Sequence, residues 1–185
     1  MNTYDEYYHA RDLLMALDKS ILVETLLKLA IESPSALMLI TTITSSPIEK
    51  VSLFKENIHT ITHQGRRGLS GKRILDLLKR SLEMLSPLEL EPKLGLKLMV
   101  LFYETDSWAL ESTTELDWEF ELIYTHDGYD KFVGFAKRCS DSDFIVATIQ
   151  KLLLADDYSM RTKLFDEASS FLPEAALKKL KGEKK

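Results

Sequence analysis

Residues Ser33–Lys50 read SPSALMLITTITSSPIEK and contain the same helix-start signal twice. In each copy a serine precedes a proline, and a third copy stands at Ser86-Pro87. The serine oxygen can accept a hydrogen bond from an unpaired helix N–H, and a proline at the first helical position lacks the N–H that would go unmet. The pattern predicts short helices that begin at these points.

Apolar residues recur at spacings of three and four on both sides of this stretch. Before it, the segment that begins at Asp18 carries Ile21 and Leu22, and after it come Val51 and Phe54. No segment sustains the alternation of period two that is typical of a strand. We therefore predict an all-α fold of about ten short helices, packed as antiparallel hairpins in a bundle or in a short irregular α-solenoid.

Several boundaries follow from the same pattern. The segment Ser35–Thr44 is apolar nearly all round, which is typical of a helix in a core. Residues 65–71, GRRGLSG, are the clearest loop. We expect a helix from Pro92 to about Trp108, a turn at Asp127-Gly128, and a last helix from Asp156 or the next residue to Pro173.

The composition is that of an ordinary globular protein. The chain has 185 residues, of which 45% are apolar and 29% are charged. We expect one helical domain over residues 1–172 and a Lys-rich tail, 173–185, that frays. The longest apolar run, Leu96–Tyr103, is too short to cross a bilayer, and the N-terminus lacks the pattern of a signal peptide. The single cysteine, Cys139, cannot form an internal disulfide. We therefore expect a cytoplasmic protein without a membrane partner.

Charge is distributed unevenly along the chain. The formal net charge is −5, yet Gln64–Arg80 holds six basic residues against Asp76, and Met99–Asp130 holds nine acids with no lysine or arginine. We call these the basic segment and the acidic segment. Such patches favour charge-steered partners, including a second copy of the chain. The alternative is that the two segments face each other in the fold or are ordinary solvated faces.

The acidic segment also contains tryptophans. Aromatic rings framed by carboxylates suit a partner that carries arginine or lysine, because such contacts combine apolar burial with charge pairing. Burial of these rings in the core is the alternative. The candidate protein-binding residues are Glu104, Trp108, Glu111, Glu115, Trp118 and Glu119.

The basic segment is a candidate anion-binding site. Backbone amides and basic side chains near the start of a helix can hold a phosphate or a carboxylate. The residues are Arg66, Arg67, Lys72 and Arg73, and a solvated basic loop is the alternative. The glycine spacing does not match a Walker phosphate loop, and a KH-type clamp needs flanking strands.

His59 and His63 stand four residues apart on a predicted helix and are a weak candidate for a metal site. The intervening residues lack the glutamate that a HExxH hydrolase uses as its base. We therefore predict two surface histidines, no catalytic residue, no metal and no cofactor.

Two stretches resemble a known group of domains. Leu17–Ile40, LDKSILVETLLKLAIESPSALMLI, resembles the opening helix pair of bacterial all-helical domains of unknown function that sometimes occur beside SWIM-type zinc fingers. Phe132–Pro173 resembles the closing helices of the same domains, and fungal nuclear proteasome-tethering factors open with a similar pair. The resemblance implies an all-helical interaction domain. The Cys-rich zinc finger is absent from this sequence, so no metal or nucleic-acid role carries over.

These observations favour a non-enzymatic helical interaction or adaptor domain that binds another protein. Nucleic-acid or phosphate binding through the basic segment is the second hypothesis, and the acidic net charge weighs against it. A metal-dependent enzyme that uses the two histidines is the third.

Overall fold

The computed structural model describes residues 3–64, 68–112 and 116–182. Helices dominate these residues and none of them lies in a strand, so the prediction of an all-α fold is confirmed. In this described part of the chain, no helix is both long enough and apolar enough to pass through a lipid bilayer.

The α-helices are labelled in chain order. They are α1 (Thr3–Met15), α2 (Lys19–Glu32), α3 (Pro34–Thr44), α4 (Pro47–Gln64), α5 (Gly71–Met84), α6 (Pro92–Tyr103), α7 (Asp106–Leu110), α8 (Asp117–Leu122), α9 (Tyr129–Ala136), α10 (Ser142–Leu154), α11 (Thr162–Asp166) and α12 (Glu174–Leu180). A π-helix (Ile123–Gly128) joins α8 to α9, and a 3₁₀ turn (Ala168–Ser170) follows α11.

The chain divides into two compact units, Met1–Ser45 and Ser46–Lys185, where we expected one domain over residues 1–172. We call them the N-terminal unit and the C-terminal unit. In the N-terminal unit α2 packs along α3. The Asp18 carboxylate accepts from the N–H of Ser20 at 2.8 Å and so begins α2, as the sequence predicts.

The prediction that α3 lies in a core is wrong. Leu37, Leu39 and Ile43 on this helix are all exposed, and Ala30 of α2 is the buried hydrophobic residue among the described side chains of the N-terminal unit. A pair of helices offers each of them one neighbour, which cannot cover a helix that is apolar on every side.

The C-terminal unit has the hydrophobic core. Within it α4 packs against α5, and α6 packs against both α9 and α10. The α6–α9 contact is close at Gly95, because a Cβ atom at that position would overlap the buried ring of Phe135. Glycine is therefore required in the middle of α6 despite its low helix propensity.

The Ser86-Pro87 pair begins a turn and not a helix. The N–H groups of Glu89 and Leu90 both donate to the Ser86 carbonyl, and α6 begins only at Pro92. A residue that precedes proline is held in an extended conformation, and Glu91 has φ −62° and ψ 131°. Its carboxylate caps α6, which begins at Pro92 as the sequence predicts.

The helix predicted to reach Trp108 ends at Tyr103 instead. Thr105 is buried, and its hydroxyl donates to the Phe102 carbonyl, which competes with the helical hydrogen-bond pattern. The chain turns there, and α7 begins at Asp106.

Asp127-Gly128 is helical and not the turn that the sequence predicts. Both residues lie in the π-helix, so α8 runs through it into α9. The Tyr103 hydroxyl donates to the Tyr124 carbonyl at 3.1 Å, and a side chain that inserts in this way is a known cause of a wide helical turn. At Gly128 a Cβ atom would lie 2.9 Å from the ring of Phe102.

The end of the chain differs from the prediction in two ways. In place of one helix from Asp156 to Pro173, there is a turn, then α11 and the 3₁₀ turn. The tail does not fray over Glu174–Leu180, because that segment forms α12 and packs against α10. Ala176 and Leu180, four residues apart, are the buried side of α12.

Candidate functional site

The residues proposed for protein binding lie on α7, on α8 and in the turns beside them, except that Glu115 lies outside the described residues. Two of the carboxylates already have partners from the same chain. Glu104 accepts from the Lys151 ammonium at 2.8 Å, and Glu111 accepts from the Tyr158 hydroxyl at 3.2 Å. These two are therefore less available to a second protein.

The two tryptophans have different surroundings. Trp108 on α7 is half-buried and packs against the hydrophobic core. Trp118 on α8 is 69% exposed. The structure therefore assigns the first ring to the core, the alternative that the sequence left open, and the second to the surface.

Trp118 and Leu122 form an exposed apolar pair. They stand four residues apart on α8, which places them on one face, and Leu122 is 40% exposed. Phe120 points to the opposite side and is fully buried. Sequence analysis missed Leu122, although its spacing from Trp118 was the signal that could have found it.

Carboxylates flank this pair on both sides. Asp117, Glu119 and Glu121 surround the two apolar side chains, and none of the three forms a hydrogen bond or an ion pair with another described residue. We call Trp118, Leu122 and these three carboxylates the α8 surface. It offers an apolar centre with a negatively charged rim.

A buried hydrogen-bonded network supports α8 from beneath. The hydroxyls of Tyr124 and Thr105 lie 2.7 Å apart, and the Tyr103 hydroxyl donates to the Tyr124 carbonyl. Burial raises the pKa of both tyrosines well above the ordinary value, so both rings keep their protons at neutral pH. The network ties the π-helix to the end of α6.

Arg161 and Asp106 extend this network. The Nε and Nη2 atoms of Arg161 donate to the two carboxylate oxygens of Asp106 at 3.0 and 2.9 Å. Arg161 also donates to the carbonyls of Tyr103 at 2.8 Å and Leu152 at 3.0 Å. Burial raises the pKa of the Asp106 carboxyl, and the Arg161 guanidinium opposes that shift. The pair is enclosed and holds α6, α7 and α10 together.

The candidate anion-binding residues are only partly described. Arg66 and Arg67 lie outside the described residues. Lys72 and Arg73 are exposed in the first turn of α5 and form no ion pair with a described residue. The Ser70 hydroxyl that caps this helix accepts from the N–H of Arg73 at 3.3 Å.

The basic and acidic segments meet at one groove of the C-terminal unit. Lys79 of α5 lines it together with Asp127 and Asp130, and its volume is about 400 Å³. The two segments therefore lie near each other at this groove, although no ion pair joins Lys79 to Asp127 or Asp130. The α8 surface does not line this groove.

The two histidines are exposed on α4, in agreement with the prediction of two surface histidines. Their rings stack with centroids 3.7 Å apart, and the Nδ1 atom of His63 lies 3.1 Å from the His59 carbonyl oxygen. Stacked rings do not direct two nitrogen atoms to one point. Among the described residues, no cluster of three or more His, Cys, Asp or Glu side chains could hold a metal ion.

Comparison with protein-family models, with curated proteins and with solved structures finds no match to this chain. The resemblance to the bacterial helical domains and to the fungal tethering factors therefore stays a prediction.

Proposed function

We propose that this chain is a non-enzymatic protein-binding module and that the α8 surface is its contact site. The observation that carries the proposal is the exposure of Trp118, 69% of which faces solvent. A tryptophan buries about 150–250 Å² when covered, so leaving this fraction in water forgoes on the order of 3 kcal/mol of apolar stabilisation. A partner that covers the ring would recover much of it.

The side chains around Trp118 indicate the chemistry of the partner. Leu122 extends the apolar centre by one helical turn, and a tryptophan beside a leucine is a typical anchor of an interface. Asp117, Glu119 and Glu121 have no described partner of their own. The α8 surface therefore suits a segment that carries arginine or lysine around one apolar side chain, and charge would steer its approach.

The support beneath α8 favours binding without a large conformational change. Phe120 and Tyr124 are fully buried on the inner side of the same helical run, and the Tyr124 hydroxyl is held by Thr105. A contact surface that is fixed before binding loses less conformational entropy when the partner arrives.

The described ionisable groups also favour binding over catalysis. Asp106 and Arg161 are the charged residues buried in the described part of the chain, and they bind each other. Their hydrogen bonds hold helices together, which is a structural role.

The experiment is a quantitative pull-down from an extract of the native host with the full chain, followed by mass spectrometry. We compare the wild type with Trp118→Ala/Leu122→Ser and with Leu154→Ser, which changes an exposed leucine on α10 as a matched control. We expect one partner protein to be captured by the wild type and by the Leu154→Ser control but not by the Trp118→Ala/Leu122→Ser variant. Added salt should weaken the binding of this partner to the wild type. An unchanged set of captured proteins would contradict the proposal.

Nucleic-acid binding is the second candidate function. Lys72 and Arg73 are exposed without a described ion-pair partner, and phosphate contacts need such cations. An electrophoretic mobility shift at low salt that disappears in Lys72→Ala/Arg73→Ala would favour this function. The absence of a shift at low salt would discard it.

A further inference from the structure

We propose that a recess between α6 and α10 binds a small carboxylate that carries a medium-length hydrocarbon chain. The volume of the recess is about 430 Å³, which lies within the roughly 300–1,000 Å³ that is typical of small-molecule sites. The recess shares no residue with the α8 surface, so this inference is independent of the function proposed above.

Two ion pairs lie at the ends of the recess. Near the start of α6, the Lys93 ammonium contacts the Asp141 carboxylate at 2.7 Å and lies 5.5 Å from the centre of the Phe144 ring, which lines the recess. Just after α6, the Glu104 carboxylate contacts Lys151 of α10 at 2.8 Å. The two helices therefore run in the same direction. Because both pairs bridge the helices, the recess is bounded at each end, which favours a short ligand over a polypeptide that continues past it.

The walls of the recess are apolar. Val100 and Leu101 line it from α6, and Phe144 and Ala147 line it from α10. Thr148 is also part of the wall, but its hydroxyl donates to the Phe144 carbonyl at 2.7 Å. A ligand therefore meets hydrocarbon along most of the recess, and burial of a hydrocarbon chain would supply the affinity.

The spacing of the wall residues sets the length of that chain. Phe144 and Lys151 line opposite ends of the recess, and their separation in α10 corresponds to about 10 Å along the helix axis. A chain of extended single bonds advances about 1.2 Å per bond, so roughly eight carbons cover this distance.

Lys97 supplies one positive charge that the fold does not neutralise. It lines the recess, is exposed, and forms no hydrogen bond or ion pair with another described residue. The nearby Glu91 carboxylate already accepts from the N–H groups of Lys93 and Leu94. Lys93 and Lys151 are neutralised by their own partners. One free ammonium beside apolar walls suits one carboxylate joined to a hydrocarbon chain.

The test is an amide NMR titration of the full chain with sodium octanoate, which reports both the dissociation constant and the location of binding. We expect saturable shifts at the amides of Leu101 and Ala147. Hexanoate should bind about 4- to 16-fold more weakly, because each methylene that is partly or fully buried contributes about two- to fourfold. Octylammonium has the same chain and the opposite charge, and it should not shift these amides.

Two variants with matched controls locate the ligand. Lys97→Gln should weaken octanoate binding about fivefold, whereas Lys137→Gln, at an exposed lysine outside the recess, should leave it unchanged. Ala147→Phe fills the recess from an exposed position and should abolish binding. Ala175→Phe, at an exposed position on α12, should not. Far-UV circular dichroism confirms that each variant is helical.

Three results would overturn the proposal. The first is the absence of octanoate-dependent shifts at Leu101 and Ala147. The second is octanoate binding that persists in Ala147→Phe, which would place the ligand on other exposed apolar residues. The third is an affinity that is the same for octanoate and octylammonium, since the Lys97 charge would then play no part.

Discussion

Arg161 donates two hydrogen bonds to the Asp106 carboxylate, although the two residues are 55 positions apart in the sequence. They are 2% and 3% exposed, and the same guanidinium also binds the carbonyls of Tyr103 and Leu152. One side chain therefore connects the end of α6 with α7 and α10. Because both charges are desolvated, each depends on the other for compensation.

Asp106→Ala should lower the free energy of unfolding by about 3–5 kcal/mol, because it leaves the Arg161 charge buried without its anion. The control is Asp143→Ala, which removes the exposed carboxylate that Lys179 contacts at 2.6 Å and should cost under about 1 kcal/mol. Urea unfolding followed by circular dichroism measures both. Equal effects of the two substitutions would show that the buried pair contributes little.

Gly95→Ala should destabilise the fold although alanine favours a helix. The gain in helix propensity is about 1 kcal/mol, whereas the new methyl group overlaps the buried ring of Phe135 and overpacking costs typically about 1–3 kcal/mol. Adding Phe135→Leu should recover part of the loss by making room. Thermal unfolding of the single and double variants checks this, and an unchanged or raised melting temperature for Gly95→Ala would contradict the packing.

Asp141 should contribute stability that disappears in acid. Its carboxylate accepts from Lys93 and from the N–H of Phe144, and these contacts hold its pKa below 3.8. A lowered folded-state pKa means that the contribution is present above pH 3.8 and is lost as pH falls through the folded-state value. Unfolding of Asp141→Asn should therefore depend less on pH than that of the wild type in this range. Asp157→Asn, at an exposed aspartate, is the control.

Tyr124 should contribute stability that disappears in alkali. Burial raises its pKa above the ordinary 10.0, so the folded state keeps the phenol proton where the unfolded state loses it. The contribution is complete below pH 10.0 and is lost as pH rises beyond it. Tyr124→Phe should lose about 1 kcal/mol at neutral pH with the hydrogen bond to Thr105, and should lose stability less steeply in alkali. Circular dichroism across the alkaline range measures the difference.

The sequence predicted helix starts well where they depend on contacts between residues close together in the chain. Asp18 begins α2 as expected, because a cap is a contact between residues two or three apart. The errors arose where a distant contact prevailed. α6 ends where the Thr105 hydroxyl donates to the Phe102 carbonyl and also contacts the distant Tyr124 hydroxyl. The helix expected from Asp156 breaks where the Arg161 side chain enters the core and binds Asp106.

The candidate site was predicted in part. Trp118 is exposed on α8, and Glu119 beside it is half-buried. The sequence could not distinguish the exposed Trp118 from Trp108, which packs against the core, because tryptophan occurs in both environments. The ion pair between Glu104 and Lys151 could not be predicted from the sequence either, since it joins residues 47 positions apart.

The π-helix between α8 and α9 has a consequence for the α8 surface. A wide turn takes up one residue beyond the α-helical repeat within a single rotation about the axis. In a regular α-helix the same extra residue would rotate everything on one side of it by about 100°. The π-helix therefore lets the chain carry one more residue between α8 and α9 while Trp118 still faces solvent and Phe120 still lies in the core.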